Sequence, residues 1–240
     1  MLNFVTGPIA RVSGASVSRR LSTRRRMADY SLYYFPTPNG KKISMMLEEL
    51  GQTYDLKWIH IGKNMQFSDE FVKVNPNSKI PAIVDHTTDD MAVFESGAIL
   101  EYLAEKHDTK LAGGNDLKQR YNVKEWLYWQ MAGFGPMLGQ NNFFHLYSKV
   151  DDPIGKERYM KESLRLFGVL DKQLSENKYI CGDELTIADI ACYWWSYSPA
   201  LSDEIKDKFE GFENVKRWQD LISTRDSVAK VNAIEMPSFD

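Results

Sequence analysis

No run in this 240-residue chain approaches the roughly eighteen apolar residues of a membrane-spanning helix, and even "ACYWWSYSPAL" is short and broken by serines. No membrane segment is expected. Cysteine is scarce too: Cys181 and Cys192 have neither CxxC nor zinc-site spacing, which excludes a disulfide framework and makes a reducing compartment the default. His60, His86, His107 and His145 are scattered without ligand spacing, so no metal is expected. Acid is missing from residues 1–27, which carry six arginines and several serines. Removing those six positive charges from the formal net charge of −3 leaves −9 for the rest. An acidic body repels phosphates, which disfavours a nucleic-acid partner.

The arginine-rich, acid-free leader has the composition of a mitochondrial transit peptide. The alternative is a disordered basic extension of a cytoplasmic protein. Either way residues 1–27 are expected to stand outside the fold, next to a second possible start at Met27.

What is present after the leader alternates strand and helix. "SLYYF" (31–35) reads as a buried strand stopped by Pro36, and Ile43, Met46, Leu47 and Leu50 fall at helical spacing up to Gly51. "YDLKWIHI" gives a second strand and "SDEFVKVNP" a short helix capped by Ser68. "IPAIVDH" and "MAVFE" pair as a hairpin across "TTDD", and "SGAILEYLAEKH" is a helix with Ser96 as its cap. The order βαβαββα is thioredoxin-like. It fills residues 28–107, a glycine-containing linker follows at 108–115, and 116–240 reads as all-helical. The long helix of that part is interrupted at Gly133, Gly135 and Pro136, and Thr186 with Asp189 opens another as a capping box. The fold class is α/β plus all-α.

A thioredoxin-like half would hold redox cysteines at its first strand-to-helix turn, but here the turn reads "PTPNG". Either the site is dead or a ligand brings the thiol. A helix N-terminus stabilises an anion, and Thr37 and Asn39 are donors at that end. Turn and cap duty alone would equally explain both residues. In "NPNSKIPAIVDH", Ile80 stands beside Pro81 at the start of a strand with an exposed backbone edge just before it, which can pair with an extended peptide; a cis bond at Pro81 would suit this, and a plain loop proline is the alternative. In "FESGAIL", Glu95 beside a helix start at Ser96 matches a zwitterionic amino-acid head such as that of glutathione. Tyr33 and Tyr34 lie within the strand and read as packing residues, and Ser44 as a helix hydroxyl facing its own backbone or solvent.

On "PTPNGKKI", "GKNMQF", "NPNSKIPAIVDH", "FESGAILEYLAEK", "WQMAGFGPMLGQN" and "ADIAC", the chain resembles the glutathione transferases. More narrowly it is similar to the nu-class group, with its bacterial disulfide-bond oxidoreductases and fungal relatives. The resemblance implies a homodimer with glutathione bound mainly by the thioredoxin-like half. It implies Thr37 and Asn39 at the sulfur, Gln66 and Lys79 at the glycyl end, and Ile80, with Pro81, at the cysteinyl backbone. Glu95 and Ser96 would take the γ-glutamyl head, and Arg158 in "KERYMKE" would lie near the ligand. "GKNMQF" lacks the second glycine pair that often precedes the glutamine in relatives, which bears on that loop's conformation. The acceptor is expected against "GFGPMLGQNNFF".

The expected activity is glutathione-dependent reduction of a small disulfide, with organic hydroperoxide reduction by the same thiolate. Conjugation of electrophiles is the near alternative, and a non-catalytic glutathione-binding or regulatory protein the distant one.

Overall fold

The computed structural model describes residues 28–198 and 205–239. The basic leader and its proposed address lie outside the described residues.

The N-terminal half runs β1 (Tyr30–Tyr34), α1 (Pro38–Glu49), β2 (Tyr54–Trp58), α2 (Asp69–Val74), β3 (Ala82–Asp85), β4 (Met91–Phe94) and α3 (Ser96–His107). This is the βαβαββα order read from the sequence. The sheet has order β2-β1-β3-β4, with β1 parallel to β2 and antiparallel to β3, and β3 antiparallel to β4. The parallel pair follows from α1, which is long enough to carry the chain back along the sheet. Tyr30, Leu32 and Tyr34 alternate along β1 and are wholly buried, as a period of two requires for one core-facing side. Ile43, Met46 and Leu47 of α1 meet them in the core. The hairpin turn is closed by Asp89 and Asp90, both at positive φ (48° and 54°), a conformation that aspartate tolerates better than most residues.

The helical half contains α4 (Leu117–Trp129), a π-helical turn (Gln130–Phe134), α5 (Gly135–Asn142), a second π-helical turn (Phe143–Tyr147), α6 (Pro153–Glu176), α7 (Ile187–Ser196), α8 (Glu213–Ser223) and α9 (Asp226–Asn232). The interruption expected at Gly133, Gly135 and Pro136 is the first π turn. Helix α7 is apolar on nearly all sides because it is enclosed, with α1 on one side and α4 and α8 on others. Its capping box forms between Thr186 and Asp189. The buried Asp189 carboxylate also accepts from Ile180 N–H at 2.8 Å and Trp218 Nε1 at 2.9 Å, so one acid ties three segments.

After α9 the chain returns to the sheet. Phe239 meets Trp58 and His60 edge-on, and its carbonyl accepts from Lys63 Nζ. None of the helices formed by the described residues is long and apolar enough to cross a membrane.

Candidate active site

The turn between β1 and α1 is tight: a Cβ on Gly40 would stand 2.2 Å from the Phe35 carbonyl oxygen, so only glycine fits. Thr37 is the N-cap of α1, with extended backbone, and its Oγ1 accepts from Gly40 N–H at 3.2 Å. An accepting hydroxyl still has its proton to give. Capping and donation to a sulfur, alternatives in the sequence, are therefore compatible on one side chain.

Asn39 is half-buried, and its Oδ1 accepts from Trp195 Nε1 at 2.8 Å. Trp195 lies 156 residues away, on α7. The amide nitrogen is left with its two protons. Tyr34 is wholly buried against Trp58, and Tyr33 packs on Phe71, consistent with packing roles; burial raises the Tyr34 hydroxyl to about 12. Ser44 Oγ donates to the Lys41 carbonyl at 3.2 Å, as expected of a helix hydroxyl.

The Ile80–Pro81 peptide is cis. Ile80 lies two residues before the first ladder pair of β3, Ala82 with Phe94. Asn75 Nδ2 donates to the Lys79 carbonyl at 2.6 Å and so anchors the loop, leaving the Lys79 side chain exposed. Gln66 sits in a 3-10 turn (Met65–Phe67), and its buried Oε1 has no partner among the described residues.

One expectation is corrected at α3. Ser96 is not the cap: Glu95 occupies that position, at φ 70° and ψ 116°, and Ser96 is the first helical residue. A non-glycine residue held at such a φ costs on the order of 1–3 kcal/mol, a cost found mostly at functional sites. The Glu95 side chain is exposed, whereas Ser96 is buried and its Oγ turns inward.

What Ser96 faces is a residue the sequence reading passed over. Lys42 is fully buried, and its Nζ donates to Ser96 Oγ at 3.2 Å, to Gln130 Oε1 at 2.8 Å and to Met131 Sδ at 3.8 Å. No carboxylate forms an ion pair with it among the described residues. Burial lowers its pKa to about 7, against smaller opposing effects of Cys192 and Glu95. A signal was available: Lys42 stands four residues before Met46, on the apolar face of α1, where a solvated lysine does not belong.

Arg158 is exposed on α6, in a groove lined by Met137, Ile154, Tyr159 and Arg165 with no residue from the N-terminal half. A cavity of about 430 Å³ adjoins the turn, lined by Pro36, Pro38, Lys41, Trp194, Tyr197 and Val228 among others. It lies against α7 and α9, whereas the stretch 133–144 approaches Asn39 by way of Trp195.

A model of the glutathione S-transferase N-terminal domain matches residues 28–105, and one of the glutathione S-transferase C-terminal domain matches residues 144–226. The chain belongs to the glutathione transferase family. It is 43% identical over 198 residues to the disulfide-bond oxidoreductase YfcG of Escherichia coli, covering 81% of this chain and 90% of that protein. With the E. coli disulfide-bond oxidoreductase YghU it shares 42% over 213 residues, 83% of this chain and 72% of the relative. A Pseudomonas fluorescens glutathione transferase family member, solved with two glutathione bound, superposes with a TM-score of 0.80 at 39% identity, over 87% of this chain and 94% of that one. A Pseudomonas putida glutathione transferase, solved with one glutathione disulfide per subunit, gives 0.78 at 37% identity, over 88% and 94%.

Within this transferase-family chain neither cysteine suits thiol chemistry. Burial pushes the Cys181 thiol up to about 12 and raises Cys192, which is fully buried, well above its ordinary value. Both are packing residues in this setting. The double change Cys181→Ser, Cys192→Ala is expected to leave glutathione-dependent turnover of a small disulfide within a few-fold, with stability lower by about 1 kcal/mol. A melting curve and an assay on one preparation check this; a folded but inactive variant would move the reacting sulfur onto the protein. No group of three or more His, Cys, Asp or Glu that could hold a metal occurs among the described residues.

Proposed function

We propose that this chain is a glutathione-dependent disulfide reductase in which the reacting sulfur belongs to glutathione. One observation carries the reading: the α1 N-terminus presents the Thr37 hydroxyl and the Asn39 amide, in a turn without cysteine, histidine or acid. A free thiol has a pKa near ~8.5, so lowering it by two units takes roughly 2.7 kcal/mol. The helix end supplies about 0.3–1 kcal/mol when exposed and up to ~2 when partly buried. Each hydrogen bond to the thiolate adds on the order of 1.5–3 kcal/mol. Together they suffice.

In the first step the thiolate attacks one sulfur of the substrate disulfide; that S–S bond breaks, a mixed disulfide forms and the departing thiolate takes up a proton. A second glutathione thiolate then attacks the mixed disulfide, which releases the second substrate thiol and glutathione disulfide. The relatives named disulfide-bond oxidoreductases, and the neighbour holding glutathione disulfide, support this assignment.

In the same reading Gln66, whose buried Oε1 lacks a partner, and Lys79 take the glycyl end, Ile80 the cysteinyl backbone, and Glu95 the ammonium of the γ-glutamyl head. The carboxylate of that head meets the first N–H groups of α3, with the Lys42 ammonium one hydrogen bond behind Ser96. Arg158, exposed on α6, lies near the ligand in the same reading.

The aromatic lining of the cavity beside the turn favours a second reading, conjugation of an apolar electrophile held by Trp194 and Tyr197. Turnover of a small disulfide measured beside a conjugation substrate decides between them. Faster conjugation would displace the reductase reading, and no turnover of either would leave a binding or regulatory protein.

The exposed stripe Leu117, Tyr121 and Tyr128 on α4, with Met91 and Phe94 on edge strand β4, supports a homodimer. Sedimentation showing only the 27.7 kDa monomer would remove it. The composition of residues 1–27 supports a mitochondrial address. A fluorescent protein fused behind them that stays cytosolic would end that reading.

A further inference from the structure

The indole N–H is a donor and never an acceptor, so the Trp195 partner at 2.8 Å can only be the carbonyl oxygen of the Asn39 amide. That contact removes the ambiguity of a free asparagine, which can present either end. With the oxygen held toward α7, the NH2 group points away from it.

The indole is itself seated. A Cβ added at Gly139 would stand 3.3 Å from Trp195 Cη2, and one at Gly135 would stand 3.4 Å from Cε2. These glycines are four residues apart, hence on one face of α5, and they make a flat bed against which the ring lies. The glycines of "GFGPMLGQN" thus connect to the turn through one aromatic side chain.

We propose that Trp195 is a positioning residue. Its N–H fixes the Asn39 amide with oxygen inward and NH2 toward the glutathione sulfur, and the Gly135–Gly139 bed fixes Trp195. This rests on the reading of Asn39 as a thiolate donor. A freely turning amide would present its carbonyl oxygen to the sulfur part of the time, repelling the thiolate. Other charged or titratable groups near the turn are Lys41, whose ammonium lies 4.7 Å over the neighbouring Trp194 ring, Lys42, three residues after Asn39 on α1 and bonded to Ser96 and Gln130, Tyr34 beside Gly40, Tyr197 in the adjoining cavity, and His60 against Phe35. None of these is the partner of Asn39.

The test is Trp195→Phe, which keeps the ring and removes the donor. The thiol of bound glutathione is titrated by its ultraviolet thiolate absorbance, beside steady-state kinetics with a small disulfide. The expected result is a thiol pKa raised by roughly half to one unit and kcat lowered about three- to ten-fold, the effect of one neutral hydrogen bond. The KM for glutathione stays within about two-fold in this expectation, because one neutral bond outside the peptide contacts is altered. Combined with Asn39→Ala, the change should add nothing, since it acts only through that amide. Gly139→Ala, which displaces the ring without removing its N–H, should shift the titration the same way to a smaller extent.

If Asn39→Ala moves the titration and both Trp195→Phe and Gly139→Ala leave it at the wild-type value, Trp195 is packing and the proposal fails alone. If Asn39→Ala leaves it unmoved too, the thiolate reading fails with it.

Discussion

Asn39→Ala slows glutathione-dependent reduction of a small disulfide by roughly ten- to a hundred-fold, the equivalent of about 1.5–3 kcal/mol of lost thiolate stabilisation. Glutathione affinity, measured by titration calorimetry, changes far less, because the backbone at Ile80 and the receptor at Glu95 and α3 hold the rest of the peptide. The acid limb of the rate profile moves to higher pH, since a less stabilised thiolate needs a higher pH to form. Thr37→Ala has a similar kinetic effect, with an added loss of about 0.5–2 kcal/mol in stability from the missing cap at Gly40. Thr37→Ser restores both functions. Equal losses in affinity and turnover for Asn39→Ala would make the residue a binding or capping group.

Lys42→Met weakens glutathione binding and stabilises the free protein at neutral pH. Wild-type Lys42 titrates near about 7 when folded, against an ordinary value of 10.5, because burial disfavours its charge. Between those values the unfolded chain holds a proton that the folded chain has released, so wild-type stability rises with pH across the window. Below about pH 7 the cost of the buried charge is fully present, on the order of 5 kcal/mol, and at pH 7 most of it remains. Methionine removes that cost but strands Gln130 Oε1, which offsets about 1–3 kcal/mol. The net expectation is a gain of roughly 1–3 kcal/mol at pH 7 that shrinks toward pH 10, read from urea midpoints. Binding moves the other way: a cation a few ångströms from a carboxylate, at an effective dielectric near ~20, is worth roughly 2 kcal/mol or about thirty-fold in affinity. Lower stability at pH 7 with unchanged affinity would reduce Lys42 to a structural donor.

The strand and helix order was legible because "SLYYF" is a short aromatic run stopped by Pro36 while Ile43, Met46 and Leu47 follow a helical period. Thr37 was legible because a cap and a turn are local. Trp195 was not: its bond to Asn39 spans 156 residues and exists only once α7 lies against α1. Ser96 was misread as a cap because cap chemistry favours serine, while the backbone gives the position to Glu95 in a conformation that sequence does not advertise. Lys42 escaped notice as half of "KK", where one lysine is half-buried and the next is wholly enclosed. The acceptor was sought against 133–144, because glycines and amides there look like a binding wall; the cavity that adjoins the turn has most of its walls on helices far downstream, which no local pattern shows.

The seating of α7 against α1 bears on any attempt to graft this chemistry. Asn39 takes its orientation, and Lys42 two of its acceptors, from chain beyond residue 116. A chimaera that transplants only "PTPNGKK" onto a cysteine-free thioredoxin would inherit the helix end and the threonine cap, but its asparagine would turn freely and its second lysine would return to water. The portable unit is therefore two helices from opposite halves of the chain, docked together, rather than a loop.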